Sequence, residues 1–158
     1  ALGCESIALV RTTQDAAFVA AIGASHVVDI LERDYIDAVR QVTDNAGVAF
    51  SFNGVGGPTI DRDAHALAPF GELHCYGYVA GKSPFNPFSV NHSVALKTFN
   101  ADNFLKTPHF PAATAAMLDW FATGPLLDAG EVFPLAQAAD AHRAMEAGRV
   151  LGKIVLRP

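Results

Sequence analysis

A chain of 158 residues is long enough to bury one ordinary core, and 51% hydrophobic against 17% charged residues excludes a disordered segment. The apolar runs are broken too often to span a bilayer, and eleven basic against sixteen acidic residues, a net charge of -5, leave no electrostatic footprint for nucleic acid. Cys4 and Cys75 lie far apart without CxxC spacing, so neither a disulfide framework nor a zinc ribbon is expected, and a reducing cytoplasm fits best.

Ala1-Leu2-Gly3 reads as a helix end running straight into a strand, so the chain is expected to start in mid-domain. Ser6 to Val10 is a short apolar strand, followed by a polar turn at Arg11 to Gln14 and an alanine-rich helix ending before Gly23. Thr12 and Asp15 have capping-box spacing, and Gly23 stands where a left-handed cap belongs. His26 to Asp29 reads as the next strand, and Asp34 to Val42 as an amphipathic helix with Tyr35, Ile36, Val39 and Val42 near helical spacing.

Val48 to Asn53 is a third strand, ended by Gly54-Val55-Gly56-Gly57-Pro58; Ile60 to Leu67 then predicts a helix and Glu72 to Tyr76 a fourth strand. Short strands alternating with helices imply an α/β fold with a doubly wound parallel sheet. Its apolar strands, with Phe50 and Phe52 among the expected core, suit a sheet covered on both faces. Gly81 to Pro87 must be loop, and Val94 to Phe99 returns to strand. Ala112 to Thr123 predicts a helix whose Ala113, Met117, Trp120 and Phe121 face the core. Gly124-Pro125 breaks the chain, and Val132-Phe133, a Leu135 to Ala147 helix and a Lys153 to Leu156 strand form a closing unit.

The runs IALVRTTQDAAFVAAIGASHVVD, VAFSFNGVGG, LAPFGELHCYGYVAG and FPLAQAADAHRAMEAGRVLGKIVLRP carry a family likeness. Together they resemble the second half of quinone-oxidoreductase-like members of the medium-chain dehydrogenase/reductase family. The resemblance implies a Rossmann-like domain over residues 1–130 and a closing segment, 131–158, that returns to a substrate domain. It also places the opening strand and its glycine-rich turn, the usual pyrophosphate cradle, ahead of Ala1. Gly54-Val55-Gly56-Gly57 does not replace that turn, because Thr59 stands where G-x-G-x-x-G needs its last glycine and Pro58 removes a donor.

In such a domain the residue ending the first visible strand sorts the cofactors, and here it is Arg11. A guanidinium pairs with a 2′-phosphate, and Thr12 or Thr13 can add a hydroxyl, so NADP(H) is expected over NAD(H). Several relatives carry Lys where this chain has Asp15 and Tyr where it has Ile30, which leaves Arg11 to act largely alone. Ligands lie outside the carboxyl ends of parallel strands. The resemblance accordingly sets Asn53, Gly54 and Val55 beside the adenosine ribose, Gly77 and Tyr78 toward the nicotinamide, and Phe99 and Asn100 along the active cleft. The plainer reading of these positions is turn chemistry, glycine for backbone freedom and asparagine for a local hydrogen bond.

The family likeness implies hydride transfer from NADPH to a quinone or enone without a metal, in a homodimer paired through a late strand. No residue here is nominated as catalytic. There is no G-x-S-x-G elbow and no H-E-x-x-H; His74 and Cys75 point to opposite strand faces, so no metal site is expected. His142 falls with Leu135, Ala138, Ala139 and Met145 and reads as a packed histidine, while His26, His65, His92 and His109 have no motif around them. The competing readings are a zinc-dependent alcohol dehydrogenase with ligands ahead of Ala1, a non-catalytic Rossmann-fold binding or dimerisation protein, and a methyltransferase, against which the closing GKIVLRP argues.

Overall fold

The computed structural model describes residues 3–124 and 130–158. The helix end read at Ala1-Leu2 and the break at Pro125 lie outside the described residues. The chain opens as β1 (Ile7–Val10), α1 (Thr13–Ala21), β2 (His26–Asp29) and α2 (Tyr35–Val42). Thr12 caps α1 by accepting from the Asp15 N–H at 3.0 Å, and Gly23 leaves the helix at φ +100°, where a side chain would be strained. Asp34 sits just outside α2 as its cap, accepting from the Ile36 and Asp37 N–H groups. The two strands pair in parallel from Ile7↔His26 to Val10↔Asp29.

β3 (Val48–Asn53), α3 (Thr59–Ala66), β4 (Leu67–Cys75) and β5 (Ala95–Thr98) follow, giving a parallel sheet in the order β3-β4-β5. Its core is Ile60, Ala64, Leu67 and Leu73, with Val48, Cys75 and Val94 packed around them. The register slips between Val48 and Phe50, so Val48 faces this core while Phe50 and Phe52 turn to the other face. The expectation that both phenylalanines are buried is therefore corrected: they are 56% and 70% exposed. Phe52 instead stacks on His74, ring centroids 5.3 Å apart; His74 bonds to Glu72, which also pairs with Lys97.

The expected sheet is present as separate parallel pieces: β1 pairs with β2, β3 with β4, and among the described residues no ladder joins β1 to β3. That break falls where the doubly wound order puts its first strand. What ties the two pieces together is a seam between α2 and α3. The Tyr35 hydroxyl donates to Asp63 Oδ1 at 2.7 Å, Arg62 pairs with Asp34, and the Arg62 guanidinium lies 4.4 Å from the Tyr35 ring centre.

Burial first, then the hydrogen bond to Asp63, pushes the Tyr35 phenol far above its ordinary value of 10.0. A group with its folded pKa raised contributes stability that is complete below the unfolded value and lost above it. Unfolding free energy is therefore expected to hold up to about pH 10 and decline beyond it. Tyr35→Phe should cost about 1–3 kcal/mol at neutral pH and flatten the alkaline decline, as urea titrations across pH would show. An unchanged alkaline limb in that variant would remove Tyr35 from the explanation.

Beyond β5 comes a short helix that the sequence did not suggest, α4 (Ala101–Leu105), and then α5 (His109–Thr123). The expectation of a core-facing α5 is corrected: Met117, Leu118, Trp120 and Phe121 are between 43% and 59% exposed, and no residue of α5 is buried. The helical spacing is real, but no described element covers that face. β6 (Glu131–Pro134), α6 (Ala138–Glu146) and β7 (Ile154–Arg157) close the chain, the strands pairing in parallel from Glu131↔Ile154 to Pro134↔Arg157. The packed reading of His142 is corrected too. The buried stripe of α6 runs through Ala141 and Ala144, and His142, a step of about 100° on, lies exposed beside it.

Candidate functional site

Parallel strands deliver their carboxyl ends to one edge, and the residues singled out from the sequence follow those ends. Arg11 comes directly after β1 and is exposed; it forms no salt bridge with a described residue. Thr12 is the cap of α1, its oxygen occupied by the Asp15 N–H, which leaves the hydroxyl proton as the group it can offer. Thr13 is the exposed first residue of α1. The first turn therefore combines a guanidinium, hydroxyls and the partial positive end of the helix, against one carboxylate, Asp15.

The loops after β3 and β4 are stitched into one ledge. Tyr76 N–H donates to the Asn53 carbonyl at 2.9 Å, Ala80 N–H to that of Val55 at 2.8 Å, and Gly57 N–H to that of Gly81 at 2.9 Å. Asn53, 5% exposed, organises the turn: its Oδ1 accepts from the Val55 N–H at 3.0 Å and the Gly56 N–H at 2.8 Å. Val55, Gly56 and Gly57 thus have their N–H groups occupied inside the protein. A phosphate cradle needs such groups pointing at the ligand, so the geometry agrees that Gly54-Val55-Gly56-Gly57 is a turn and not a pyrophosphate fingerprint.

At Gly77 and Gly54 glycine is required by space. A Cβ on Gly77 would run into the Gly54 carbonyl oxygen and lie 2.8 Å from its carbon. Gly54 in turn fits under the Tyr76 ring, where a Cβ would lie 2.9 Å from the nearest ring carbon. Gly77 and Tyr78 stand beyond β4, which ends at Cys75, one residue earlier than expected from the sequence. Tyr78 is 82% exposed, and Val55 projects beside the turn, half exposed.

At the end of β5, Phe99 N–H donates to the Cys75 carbonyl at 2.8 Å, which fastens this corner to the ledge. The Phe99 ring packs on Phe104 at 5.4 Å. Asn100 caps α4, its Oδ1 accepting from the Asn103 N–H at 3.2 Å; its amide nitrogen is the group left to face a ligand. The structure thus brings Asn53, Gly54, Val55, Gly77 and Phe99 into one connected edge, with Tyr78 and Asn100 at its margins. The Arg11 group lies at the end of the other sheet piece.

Sequence reasoning missed Asp63. This carboxylate is 6% exposed and accepts from Tyr35, Ser51 and Asn53 at 2.7, 3.0 and 2.7 Å. The one signal was faint: on α3 Asp63 shares a face with the buried Ile60 and Ala64, amid polar neighbours. Burial, with Asp63 nearby, pushes the Cys75 thiol up, away from the reactive thiolate. Among the described residues, no group of three or more His, Cys, Asp or Glu is placed to hold a metal ion. A cavity of about 430 Å³ lined by Arg40, His65 and His92 opens at the amino ends of β3 and β4, the opposite edge from the ledge.

Parallel strands, crossover helices and a loop ledge at the carboxyl ends define a Rossmann-like α/β domain. Residues 22–156 match the family model described as zinc-binding dehydrogenase. The chain belongs to that family. It is 26% identical to a 2-haloacrylate reductase from Burkholderia sp over 99% of its own length and 49% of the relative's. A mycobacterial protein solved in complex with NADPH superposes with a TM-score of 0.88 at 31% identity, over 99% of this chain and 51% of that one. A Pseudomonas syringae quinone oxidoreductase superposes equally well, TM-score 0.88, at 25% identity over 99% and 50% of the two chains. The chain therefore spans about half the length of these three relatives.

Proposed function

We propose that this chain is the larger part of the cofactor domain of an NADPH-dependent reductase that transfers hydride to a quinone or an activated alkene such as an enone. The observation that carries the cofactor assignment is Arg11, a guanidinium without a salt-bridge partner among the described residues, at the carboxyl end of β1 and beside the amino end of α1. Such a group pairs with a phosphate through two parallel hydrogen bonds, which a ribose hydroxyl cannot reciprocate. The family likeness supports the reaction class, since the matched relatives include a haloacrylate reductase and quinone oxidoreductases.

When bound, the nicotinamide supplies the hydride, and the protein supplies position and polarity. In this reading Arg11, with the hydroxyls of Thr12 and Thr13, holds the 2′-phosphate. The ledge of Asn53, Gly54, Val55, Gly77 and Tyr78 borders the uncharged parts of the cofactor, and Phe99 and Asn100 flank the cleft. Residues 1–130 form the partial dinucleotide-binding domain and 131–158 the segment that joins a substrate domain, a division supported by β6 and β7 pairing with each other. The outer edge of β5, with Leu96 and Phe99 more than two-fifths exposed, suits pairing with a second copy in a homodimer. The setting is cytoplasmic in this reading; no described helix is long and apolar enough to cross a membrane.

Arg11→Ala tests the cofactor assignment. A charge-assisted contact contributes about 1.5–3 kcal/mol, so NADPH affinity of the protein carrying this chain should fall by roughly 10- to 150-fold. NADH affinity should change little. Calorimetric titration with both cofactors decides it, and equal losses would reject Arg11 as the discriminating residue.

A further inference from the structure

A chain of hydrogen bonds runs from the α2–α3 seam to the cofactor edge, and of its linked side chains only Asn53 has a part in the function proposed above. It begins at Tyr35 and passes through Asp63 to Asn53. Asn53 Nδ2 donates to Asp63 Oδ2 at 2.7 Å and to Thr59 Oγ1 at 2.8 Å. Thr59 Oγ1 donates onward to the Gly56 carbonyl at 2.7 Å. On its other side, Asn53 Oδ1 takes the Val55 and Gly56 N–H groups. An asparagine amide has a donor end and an acceptor end of nearly equal shape, so something must decide which faces the turn.

Asp63 Oδ2 and Thr59 Oγ1 act on the donor end, the Val55 and Gly56 N–H groups on the acceptor end. An ionised carboxylate only accepts, so it draws the NH2 end of Asn53 toward α3 and leaves Oδ1 facing the turn. Reversing the amide would set its oxygen against the carboxylate and its NH2 against two backbone N–H donors, which is costly for groups this buried. We propose that Asp63 is a positioning residue for the ligand edge: acting through Asn53, it holds the Gly54–Gly57 turn closed. The closed turn offers a ligand none of the Val55, Gly56 and Gly57 N–H groups. Its surface accordingly selects an uncharged portion of the bound molecule over a phosphate; this last consequence rests on the NADPH reading, whereas the closing of the turn does not.

Amide hydrogen exchange of the 158-residue chain tests it. Asp63→Ala should speed exchange at Val55 and Gly56 by about tenfold or more beyond any change in β4 and α3. Asp63→Asn should restore protection, because its carbonyl oxygen can take the place of Oδ2 while its NH2 faces the Tyr35 hydroxyl, which then accepts. Tyr35→Phe, which removes an Asp63 partner without touching Asn53, should leave both amides protected. A merely structural role would instead loosen all these segments together. Should Asp63→Ala not fold, a through-hydrogen-bond coupling between Asn53 Nδ2 and Asp63 Cγ in the unaltered protein supplies the decision, and its absence overturns the proposal. So do protected amides in Asp63→Ala, uniform loosening, or an Asp63→Asn variant that behaves like Asp63→Ala. Adding NADPH to the protein carrying this chain examines the cofactor reading separately: unmoved Val55 and Gly56 resonances would count against that reading while the exchange result stood.

Discussion

Gly77→Ala is expected to cost about 3 kcal/mol or more of folding stability, far above the effect of a typical loop substitution. The added Cβ would overlap the Gly54 carbonyl oxygen and lie 2.8 Å from its carbon and 3.0 Å from the Gly54 Cα. All three are backbone atoms of the facing turn, which is itself held by the Tyr76, Ala80 and Gly57 N–H bonds; no side chain can swing away to make room. The two loops must part, and with them the edge that borders the cofactor in the function proposed above. Gly81→Ala is the control. Gly81 has φ +83° with nothing within 4 Å of where a Cβ would stand, so it should lose only the left-handed backbone preference, about 1–2 kcal/mol. Urea unfolding of both variants measures the difference. Equal costs would mean that close approach at Gly77 is relieved by shifts the packing does not suggest.

How far the sequence could lead depends on the range of the interaction concerned. β2 and β3 have the limits read from the sequence, because short β-branched or aromatic runs there are bounded by turn residues. Thr12, Asp34 and Gly23 mark helix ends through bonds to neighbours two to four positions away, which any local pattern contains. Burial of Phe50 and Phe52 was a different matter. Alternation told that they share a face, but which face the chain covers depends on the irregular register at Val48 and on α3 packing to the other side. The α5 stripe failed in the same way. Asp63 was hidden because Thr-Ile-Asp-Arg-Asp-Ala-His-Ala reads as a solvated helix, and its partners Tyr35 and Asn53 are 28 and 10 positions earlier. Of the candidate site, the edge was legible from strand ends alone; the hydrogen bonds that occupy its N–H groups were not.

The second large effect expected is that the 158-residue chain by itself does not oxidise NADPH with a quinone. Its sequence contains no G-x-G-x-x-G run, and the turn nearest to one has its Val55, Gly56 and Gly57 N–H groups committed to Asn53 and Gly81. In the function proposed above the 2′-phosphate would therefore meet Arg11 and the start of α1, while the pyrophosphate would find no glycine cradle in this sequence. Among the described residues, β1 and β3 each lack a ladder partner on one side, so the spacing between the Arg11 site and the ledge is not fixed by a continuous sheet. Productive hydride transfer needs the reacting atoms held about 3–3.5 Å apart, a tolerance not expected of two edges that are joined through the α2–α3 seam and share no ladder among the described residues. The three relatives named above are about twice as long as this chain, and in the function proposed above the remaining contacts come from the part that they have in addition. Mixing the pure chain with NADPH and 1,4-benzoquinone, and following the nicotinamide absorbance against the uncatalysed reaction, should give no saturable rate. Saturable oxidation proportional to the amount of chain would show that Arg11 and the ledge suffice to hold the cofactor, and that the gap between β1 and β3 does not matter for the reaction.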